Sequence, residues 1–555
     1  MSIKKKIILW SIILVSAIAI IGVACLIVSY CLQKVEITAT AIQINEEPKI
    51  NVEWETDKDF DNITIEVYHN GRLKSVHTYK NSAVKLKRSV NIEVEYGKLD
   101  IKLIVKNGLR KSTKTISVNV SASEYVIAPL AATLPVTMFT MNLDEITDNY
   151  TIPTFVWFDR GEAWDYSSLP NNIYTFPNAT RDEVLSCHRN IIYDKSSEFV
   201  KELYKINSNS MFHFYYNDGW SDGFVRAAIA NNIPEQNYDV VLMSDGVYSY
   251  TAFNSLFNNE NADNNYLNAK NNWETLKSQV SQKGYYKDTA EFIVDYVELG
   301  SYFYVLAKEE SNIVWWTTRK SGMFAPNNSE YKTMIENDNE NAIVKNINPA
   351  GFSDEKKQLI ENIYHFSADM FETAVKENKD IMIILGTNIE YEYNFELYVN
   401  ATKKFYGDNY VYYYKGHPRY PAAFHEGRSE YLSGLGLEEV ESTIPAELLF
   451  FFNENAIANG YQSTTFVSLD AESSGSVWNV FKDNFNLEYK NNITYFVNKI
   501  DSTNEKYGDL VENDETTCVL EFNNTTNYDI AIYNNSNDTM KFYKYNSSTS
   551  LYEEV

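Results

Sequence analysis

Three strand-like runs in this chain each end at a turn that carries glycine or charge. The runs and their turns are Tyr238–Met243 with Ser244-Asp245-Gly246, Asp380–Leu385 with Gly386-Thr387, and 410–414 with Lys415-Gly416-His417. Continuous apolar runs of this length are typical of strands buried on both faces of a parallel sheet. With helical patterns between them, including 266–380 as largely helical and 354–375 as one long amphipathic helix, they predict two successive Rossmann-like domains that face a cleft. Ligands of such sheets bind beyond the carboxyl ends of the strands.

The N-terminal segment, 1–34, predicts a membrane anchor. Lys4, Lys5 and Lys6 precede a mostly apolar stretch over 7–32, which exceeds a signal-peptide core and is long enough to span a bilayer. We therefore expect an uncleaved signal anchor and a single-pass membrane protein. The lysines before the span favour an inside N-terminus, with the remainder of the chain outside or in the Golgi lumen. Attachment at the cytoplasmic face is the alternative.

Residues 35–122 predict an immunoglobulin-like β-sandwich. Alternating runs recur over 35–42, 49–53, 63–67, 92–95, 101–105 and 115–120. Asn70-Gly71 and Asn107-Gly108 stand between such runs as hairpin turns. We expect this domain to act as a spacer; a glycan-binding or partner-binding module is the alternative.

The remaining boundaries follow from the change to alternating strands and helices. We predict one Rossmann-like domain over 123–378, a second over 379–500, and an Asn-rich β-like C-terminal appendage over 501–555. The formal net charge of −26 argues against nucleic acid as a partner, because phosphate neutralisation needs basic surface. The four cysteines form neither a disulfide framework nor a zinc motif, and Cys187 beside His188 is interpreted as packing.

Candidate site residues lie at the turns after the predicted strands. Asp245 places a carboxylate on a turn, which in isolation is most often only a turn. Lys415 and His417 suit an anionic group, above all a phosphate. Glu447 opens a helix behind Pro445, where it either binds a ligand or interacts with the helix dipole. Ser463 and Thr464 present hydroxyls that either contact a phosphate or cap a helix.

This ordered set of motifs resembles the Pasteurella/Photobacterium-type bacterial sialyltransferases, glycosyltransferase family 80. The matching segments are Ser244-Asp245-Gly246, Lys415-Gly416-His417-Pro418-Arg419, Ile444-Pro445-Ala446-Glu447-Leu448-Leu449 and Ser463-Thr464. Ala132-Thr133-Leu134-Pro135 is similar to the family's opening strand and turn. The resemblance covers about 123–470 and implies a GT-B fold, with 123–378 as its acceptor-side domain and 379–500 as its nucleotide-donor domain. It also implies a CMP-sialic acid donor and inverting transfer to a galactose-type hydroxyl without a metal or other cofactor.

The resemblance also implies roles for individual residues. Asp245 would be the general base on the acceptor hydroxyl, and His417 would act at the donor phosphate as general acid or cationic stabiliser. Glu447 would accept hydrogen bonds from the ribose hydroxyls. The other residues implied on the donor side are Lys415, Gly416, Pro418, Ser463, Thr464 and Gly386.

The acceptor side departs from the family pattern. Ser244 replaces the first acidic residue of its motif, and Glu390 aligns where the family often has a tryptophan. Asn217, Asp218 and Trp220 follow the predicted strand 211–216, in a region where the family often has a histidine. Asp218 also competes with Asp245 for the base role. The sequence thus predicts a membrane-anchored sialyltransferase. The alternatives are a GT-B transferase that uses another nucleotide sugar and a non-catalytic, membrane-anchored glycan-binding protein.

Overall fold

The computed structural model describes most of the chain. The described residues are 3–32, 35–80, 87–108, 110–158, 164–179, 189–220, 222–246, 249, 253, 256–257, 259–283, 310–318, 342–345, 347, 351–386, 392, 395–418, 422, 425–451, 453, 456–460, 465, 474–478, 517–522, 527–546, 548 and 551–555. The chain divides into two compact units. Unit 1 comprises Met1–Glu124 and Glu198–Met211, and unit 2 comprises Tyr125–Ser197 and Phe212–Val555.

Unit 1 begins with the helix α1 (Ile3–Leu32). Its segment Ile8–Val28 is long and apolar enough to cross a membrane, a criterion that signal sequences also meet. The predicted apolar N-terminal helix is therefore present.

Seven strands follow α1 and form two antiparallel sheets with the orders β1-β2-β5 and β4-β3-β6-β7. The strands are β1 (Ile37–Gln43), β2 (Lys49–Thr56), β3 (Asn62–His69), β4 (Arg72–Lys80), β5 (Lys87–Glu93), β6 (Gly97–Asn107) and β7 (Arg110–Val120). Alternate residues of β3 are buried, as the period-2 pattern dictates. Asn70 and Gly71 have positive φ values, 49° and 75°, and close the β3–β4 hairpin as predicted.

The first sheet of unit 2 has seven strands in the order β10-β9-β8-β11-β12-β13-β14. The strands are β8 (Glu124–Leu130), β9 (Thr154–Phe158), β10 (Ile173–Thr175), β11 (Met211–Asn217), β12 (Tyr238–Met243), β13 (Ile313–Thr317) and β14 (Ala342–Val344). The strand order reverses between β8 and β11, which marks the switch point where ligands of doubly wound sheets bind.

The helices of this part lie between its strands in sequence, except for the last two, which follow β14. They are α2 (Thr133–Met141), α3 (Leu143–Ile146), α4 (Arg189–Ile206), α5 (Asp222–Ala227), α6 (Ala262–Lys283), α7 (Asp354–Tyr364) and α8 (Glu372–Glu377). The prediction that 266–380 is largely helical is wrong for β13 and β14. The run Ile313-Val314-Trp315-Trp316-Thr317 is β-branched and aromatic, which favours a pleated, buried strand.

The predicted single helix over 354–375 is also wrong. The helix α7 ends at Tyr364, because His365 adopts the left-handed conformation with φ of 49°. The Ser367 hydroxyl then accepts a hydrogen bond from Asp369 N and starts a short 3-10 turn before α8. Apolar periodicity continues across the break, so the pattern concealed it.

The second sheet of unit 2 has nine strands in the order β17-β16-β15-β18-β19-β20-β21-β22-β23. The strands are β15 (Asp380–Leu385), β16 (Tyr410–Lys415), β17 (Glu438–Val440), β18 (Ile457–Gly460), β19 (Ser474–Trp478), β20 (Thr517–Phe522), β21 (Ile530–Asn534), β22 (Thr539–Asn546) and β23 (Leu551–Glu554). The helices are α9 (Phe395–Tyr406), α10 (Arg428–Gly434) and α11 (Ala446–Phe451). The strands β15–β19 pair in parallel, and the tail strands β20–β23 extend the same sheet in antiparallel fashion. The tail is thus β-like, as predicted, although β23 was not foreseen.

One buried core underlies the carboxyl ends of both sheets. The hydrophobic cluster that contains Leu130 of β8 and Met243 of β12 also contains Leu385 of β15 and Leu448 of α11. Leu385 and Leu448 are the chain neighbours of the candidate residues Gly386 and Glu447. Met243 immediately precedes the turn that contains Asp245, and Leu130 immediately precedes the turn after β8. The core therefore ties the strand ends of the two sheets to one another.

Candidate active site

The turn after β12 holds Asp245 through hydrogen bonds on both of its sides. Ser244 N donates to Trp316 O at 2.8 Å, and Gly246 N donates to the Ser244 hydroxyl at 3.2 Å. Asp245 N donates to the Ser249 hydroxyl at 2.9 Å. Gly246 has a φ of 69°, which favours glycine. The turn is thus closed by its own backbone and hydroxyls, while Asp245 itself remains partly exposed.

Asp218 lies directly behind this turn and is fully buried. Its Oδ1 accepts hydrogen bonds from Gly219 N at 2.5 Å and from Asp245 N at 3.3 Å. Its Oδ2 accepts from Trp315 Nε1 at 3.0 Å. Burial raises the pKa of Asp218 to about 7, against the lowering effect of these donors and of the Ser249 hydroxyl. Asp245 is the more exposed of the two carboxylates, so the geometry favours Asp245 over Asp218 for the base role.

Asn217 joins the ends of β8 and β11 at the switch point. Its Nδ2 donates to Ala131 O at 2.6 Å, and its Oδ1 accepts from Ala131 N at 2.9 Å. The next residue, Ala132, has φ of 63° and ψ of 163°, a region that side chains rarely adopt. Asn217, predicted on the acceptor side, is therefore buried and holds this turn. Trp220 ends the 3-10 turn Asp218–Trp220, and Glu390 lies outside the described residues.

Lys415 is buried at the end of β16, with 4% of its surface exposed. Its Nζ donates to Gly416 O at 3.1 Å and to Ser442 O at 2.8 Å. Burial lowers the pKa of Lys415 to about 8, although the nearby carboxylates of Glu447 and Glu441 oppose this shift. The amine therefore connects the turn after β16 to the loop that precedes α11. Gly416 in that turn is buried, whereas His417 and Pro418 are half-buried.

Glu447 lies in the first turn of α11 and is buried. Burial raises its pKa, opposed by a backbone hydrogen bond, by the charge of Lys415 and by the hydroxyl of Thr465. Ser463 and Thr464 lie outside the described residues. Their neighbour Thr465, which the sequence reasoning did not single out as a separate site residue, contacts Glu447. Thr465 carries the third hydroxyl of the run Ser463-Thr464-Thr465, and this run was the sequence signal that could have identified it.

Gly386 follows β15, and no larger residue fits there. Its N–H donates to Lys415 O at 2.9 Å, which joins the ends of β15 and β16. A Cβ at this position would lie 2.4 Å from Tyr414 Oη and 2.5 Å from Glu392 Oε1. The glycine at this strand end is therefore required by packing, whatever ligand it approaches.

Glu392 is a site neighbour that the sequence analysis missed. It is buried, accepts a hydrogen bond from Tyr414 Oη at 2.8 Å and forms an ion pair with Arg428. The Arg428 guanidinium lies 4.7 Å from the Phe395 ring centroid and 5.1 Å from that of Tyr431. This cluster packs against Gly386. Nothing in the local sequence around Glu392 distinguishes this residue from other acidic residues in the chain.

The predicted residues thus form two groups. Asp245, Asp218 and Asn217 are linked at the first sheet, and Gly386, Lys415, Gly416 and Glu447 at the second, with His417 and Pro418 on the adjoining turn. A partly exposed carboxylate on a rigid turn suits proton abstraction, and a turn with an imidazole and a nearby ammonium suits a departing anion. Among the described residues no group of three or more His, Cys, Asp or Glu side chains is arranged to hold a metal ion.

No protein-family model and no curated protein sequence matches this chain. Solved structures do match it. The α/β-galactoside α-2,3-sialyltransferase of the luminous marine bacterium Photobacterium phosphoreum has a TM-score of 0.52 and 14% identity, over 69% of this chain and 97% of that chain. The 2,6-sialyltransferase of Photobacterium sp. JT-ISH-224, solved with CMP and lactose, has a TM-score of 0.52 and 14% identity, over 84% and 93% of the two chains.

A third structure, the GT-B domain of the Photobacterium damselae sialyltransferase, covers 67% of this chain and 95% of its own at 14% identity, with a TM-score of 0.48. The first two matches show that the structural neighbours of this chain are Photobacterium-type bacterial sialyltransferases, as the motif resemblance predicted. At this identity the likeness establishes the fold alone: an α/β chain with one parallel sheet and a second sheet that is parallel over β15–β19.

Proposed function

We propose that this protein is a sialyltransferase-type glycosyltransferase that moves sialic acid from CMP-sialic acid to a hydroxyl of a terminal galactose-type acceptor. One observation carries the proposal. The motif residues Asp245, Gly386, Lys415 and Glu447 lie at the carboxyl ends of two Rossmann-ordered sheets over one shared core. They do so in a chain whose fold neighbours are sialyltransferases.

In the proposed reaction, Asp245 takes the proton of the acceptor hydroxyl as that oxygen attacks the anomeric carbon of sialic acid. The hydroxyl alone is a weak nucleophile, and a positioned carboxylate raises its reactivity. Attack from the side opposite the nucleotide inverts the configuration at that carbon. The turn around Asp245, with its backbone N–H donating to the Ser249 hydroxyl, supports this role because it fixes the backbone from which the carboxylate projects.

On the donor side, His417 stabilises the phosphate of the departing CMP, as a cation or by giving it a proton. Negative charge gathers on this group as the glycosidic bond breaks, so a positioned cation lowers the barrier. Lys415 acts here through its connection of the His417 turn to the Ser442 carbonyl. Glu447 accepts from the ribose hydroxyls, and Ser463 and Thr464 contact the phosphate. We propose that the transfer needs no metal, since CMP leaves with a single phosphate.

We further propose that residues 35–122 are an immunoglobulin-like spacer and that α1 anchors the protein in a membrane. The two antiparallel sheets of unit 1 support the first assignment, and the apolar segment Ile8–Val28 supports the second. The three lysines before this segment favour an outside or lumenal catalytic part. Protease accessibility in sealed vesicles measures the membrane side directly.

The first test is turnover by the full-length protein in detergent, given CMP-sialic acid and lactose. We expect release of CMP and formation of sialylated lactose. The variants Asp245→Asn and His417→Asn should each lower kcat/KM by about 10²- to 10⁴-fold, the usual contribution of a general acid or base.

Asp239 and His213 offer matched controls, because His213 Nδ1 lies 2.8 Å from Asp239 Oδ2 at the opposite end of β11 and β12. Asp239→Asn and His213→Asn should leave kcat/KM within about twofold, as surface substitutions usually have small effects.

Absence of CMP release across several galactoside acceptors would rule out the proposed reaction. Stabilisation by UDP or GDP but not by CMP in a thermal-shift assay would point to another nucleotide sugar instead. Glycan binding without turnover, unchanged in His417→Asn, would support the glycan-binding alternative.

A further inference from the structure

We propose that Asp218 is a positioning residue for the reaction: its buried carboxylate fixes the backbone amide of Asp245 and thereby the direction of the Asp245 side chain. This inference rests on the proposed function, since it assigns Asp218 a role relative to the base. It differs from the earlier hypothesis that Asp218 is itself the base.

The first argument is the set of hydrogen bonds around Asp218. Asp245 N lies between two acceptors, the Ser249 hydroxyl at 2.9 Å and Asp218 Oδ1 at 3.3 Å. The same Oδ1 accepts from Gly219 N, and Oδ2 accepts from Trp315 Nε1 at 3.0 Å. Asp218 therefore links the turns after β11 and β12 to a side chain of β13. Three adjacent strand segments meet at one carboxylate.

The second argument concerns chemistry. Every hydrogen bond just described is donated to Asp218, so the site requires acceptors on both oxygens. A carboxylate provides two, whereas an asparagine amide provides one acceptor and one donor group. With its oxygen toward Asp245 N, an asparagine would direct its NH2 group at the Trp315 N–H. The site thus distinguishes Asp from Asn, although the two side chains have nearly the same shape.

The third argument is energetic. Burying a carboxylate is costly unless a cation or strong donors compensate for lost hydration. The described hydrogen-bond partners of Asp218 are two backbone N–H groups, an indole and a hydroxyl, and none of them is a cation. Burial raises its pKa to about 7, which reflects that cost. A group buried at such a cost directly behind a catalytic turn fits a role in function better than a role in stability.

The test compares Asp218→Asn, Trp315→Phe and the double variant in the full-length protein, with Asp239→Asn as control. We expect Asp218→Asn to lower kcat by about 10- to 100-fold, since small displacements of a reacting group have effects of this size. The KM for CMP-sialic acid should stay within about twofold, because the proposed donor residues belong to the other sheet. Trp315→Phe removes the opposing N–H. In that background, the further loss of kcat caused by Asp218→Asn should be at least about fivefold smaller than in the wild type.

Hydrogen exchange gives a readout that does not depend on turnover. In Asp218→Leu, the peptide that contains Asp245 should exchange about 2- to 10-fold faster, the size expected for the loss of one hydrogen bond. Asp239→Asn should not change it. Wild-type kcat in Asp218→Asn, an equal loss of kcat in both backgrounds, or unchanged exchange in Asp218→Leu would each overturn the inference. A wild-type protein without turnover on CMP-sialic acid would instead refute the proposed function, and the exchange experiment would still decide whether Asp218 holds the Asp245 amide.

Discussion

At the scale of single residues, Lys415 and Glu447 illustrate how burial changes the meaning of a motif. Burial lowers the pKa of Lys415 and raises that of Glu447, while the attraction between the two charges opposes both shifts. In the sequence motif, Lys415 indicates a cation that would bind a phosphate. In the fold its amine donates to two carbonyls, so His417 is the more accessible of the two cationic candidates.

Unit 1 contains a second buried ionisable cluster, centred on His69. Its Nε2 lies 2.9 Å from Glu202 Oε1 and its Nδ1 lies 3.1 Å from Glu95 Oε2. Burial alone would lower the pKa of His69, but the hydrogen bonds and charges of Glu202 and Glu95 outweigh it and raise the pKa to about 9. The charged imidazole therefore stabilises the folded state.

This cluster predicts a pH-dependent stability. The unfolded pKa of histidine is about 6.5, so the stabilisation is complete below that pH and disappears as pH rises through about 9. We expect the difference in unfolding free energy between the wild type and His69→Gln to fall by roughly 2 to 3 kcal/mol between pH 6 and pH 9.5. Urea unfolding at both pH values measures it. His77→Gln, which removes an imidazole from β4 of the same unit, is the control. A difference that stays constant with pH would contradict the prediction.

At the scale of elements, the sequence predicted strands better than helices. The strands β12 and β15 occupy the predicted positions, because an apolar run bounded by turn residues is a local signal. The break after α7 and the strand β13 were missed. A left-handed residue such as His365 interrupts a helix without interrupting its apolar periodicity.

The tail strands are the clearest case of an element whose role depends on the sheet it joins. The strand β20 pairs with β19, and its residues Cys518 and Leu520 belong to the hydrophobic cluster that contains Met382 and Ile384 of β15. The tail therefore completes the core behind the proposed donor side.

Removal of these strands should therefore destabilise the donor-side sheet. A chain that ends at residue 516 loses the buried side chains of Cys518, Leu520 and Tyr533. We expect a fall in unfolding free energy of several kcal/mol, since each large buried side chain contributes about 2 to 5 kcal/mol. A chain that ends at residue 550 lacks only β23 and should lose far less. Equal urea midpoints for the two shortened chains would refute this account of the tail.

At the scale of the whole molecule, unit 1 is not continuous in sequence. It includes residues Glu198–Met211, which contain the C-terminal part of α4. Lys98 N donates to Glu202 Oε1 at 2.7 Å, and the Ser210 hydroxyl donates to Ala122 O at 2.7 Å. Gly97 lacks room for a Cβ, which would lie 2.6 Å from His69 Nε2. Segments on both sides of the predicted boundary at 123 thus depend on one another.

This interdependence predicts the outcome of truncation. A chain that begins at Val35 keeps every described contact of Glu202, whereas a chain that begins at Tyr125 leaves Glu202 without His69, Asn70 and Lys98. We expect the shorter chain to lose solubility or to melt at least about 5 °C lower, because the hydrogen bonds between unit 1 and the Glu202 carboxylate are lost. Differential scanning calorimetry measures this. Equal melting temperatures of the two chains would indicate that unit 2 folds independently of residues 35–124.

The sequence by itself determined the strands β12, β15 and β16, where the turns with Asp245, Gly386 and His417 fall, and which fold family to expect. These features depend on consecutive residues: an apolar run, a glycine, a proline and a charge at a strand end. Only the tertiary structure decided that Lys415 and Asp218 are buried, that Glu392 braces Gly386, and that both sheets share one core. Asp218 meets Trp315 across 97 residues of chain. Contacts of this kind depend on how distant segments pack, so no local pattern of residues contains them.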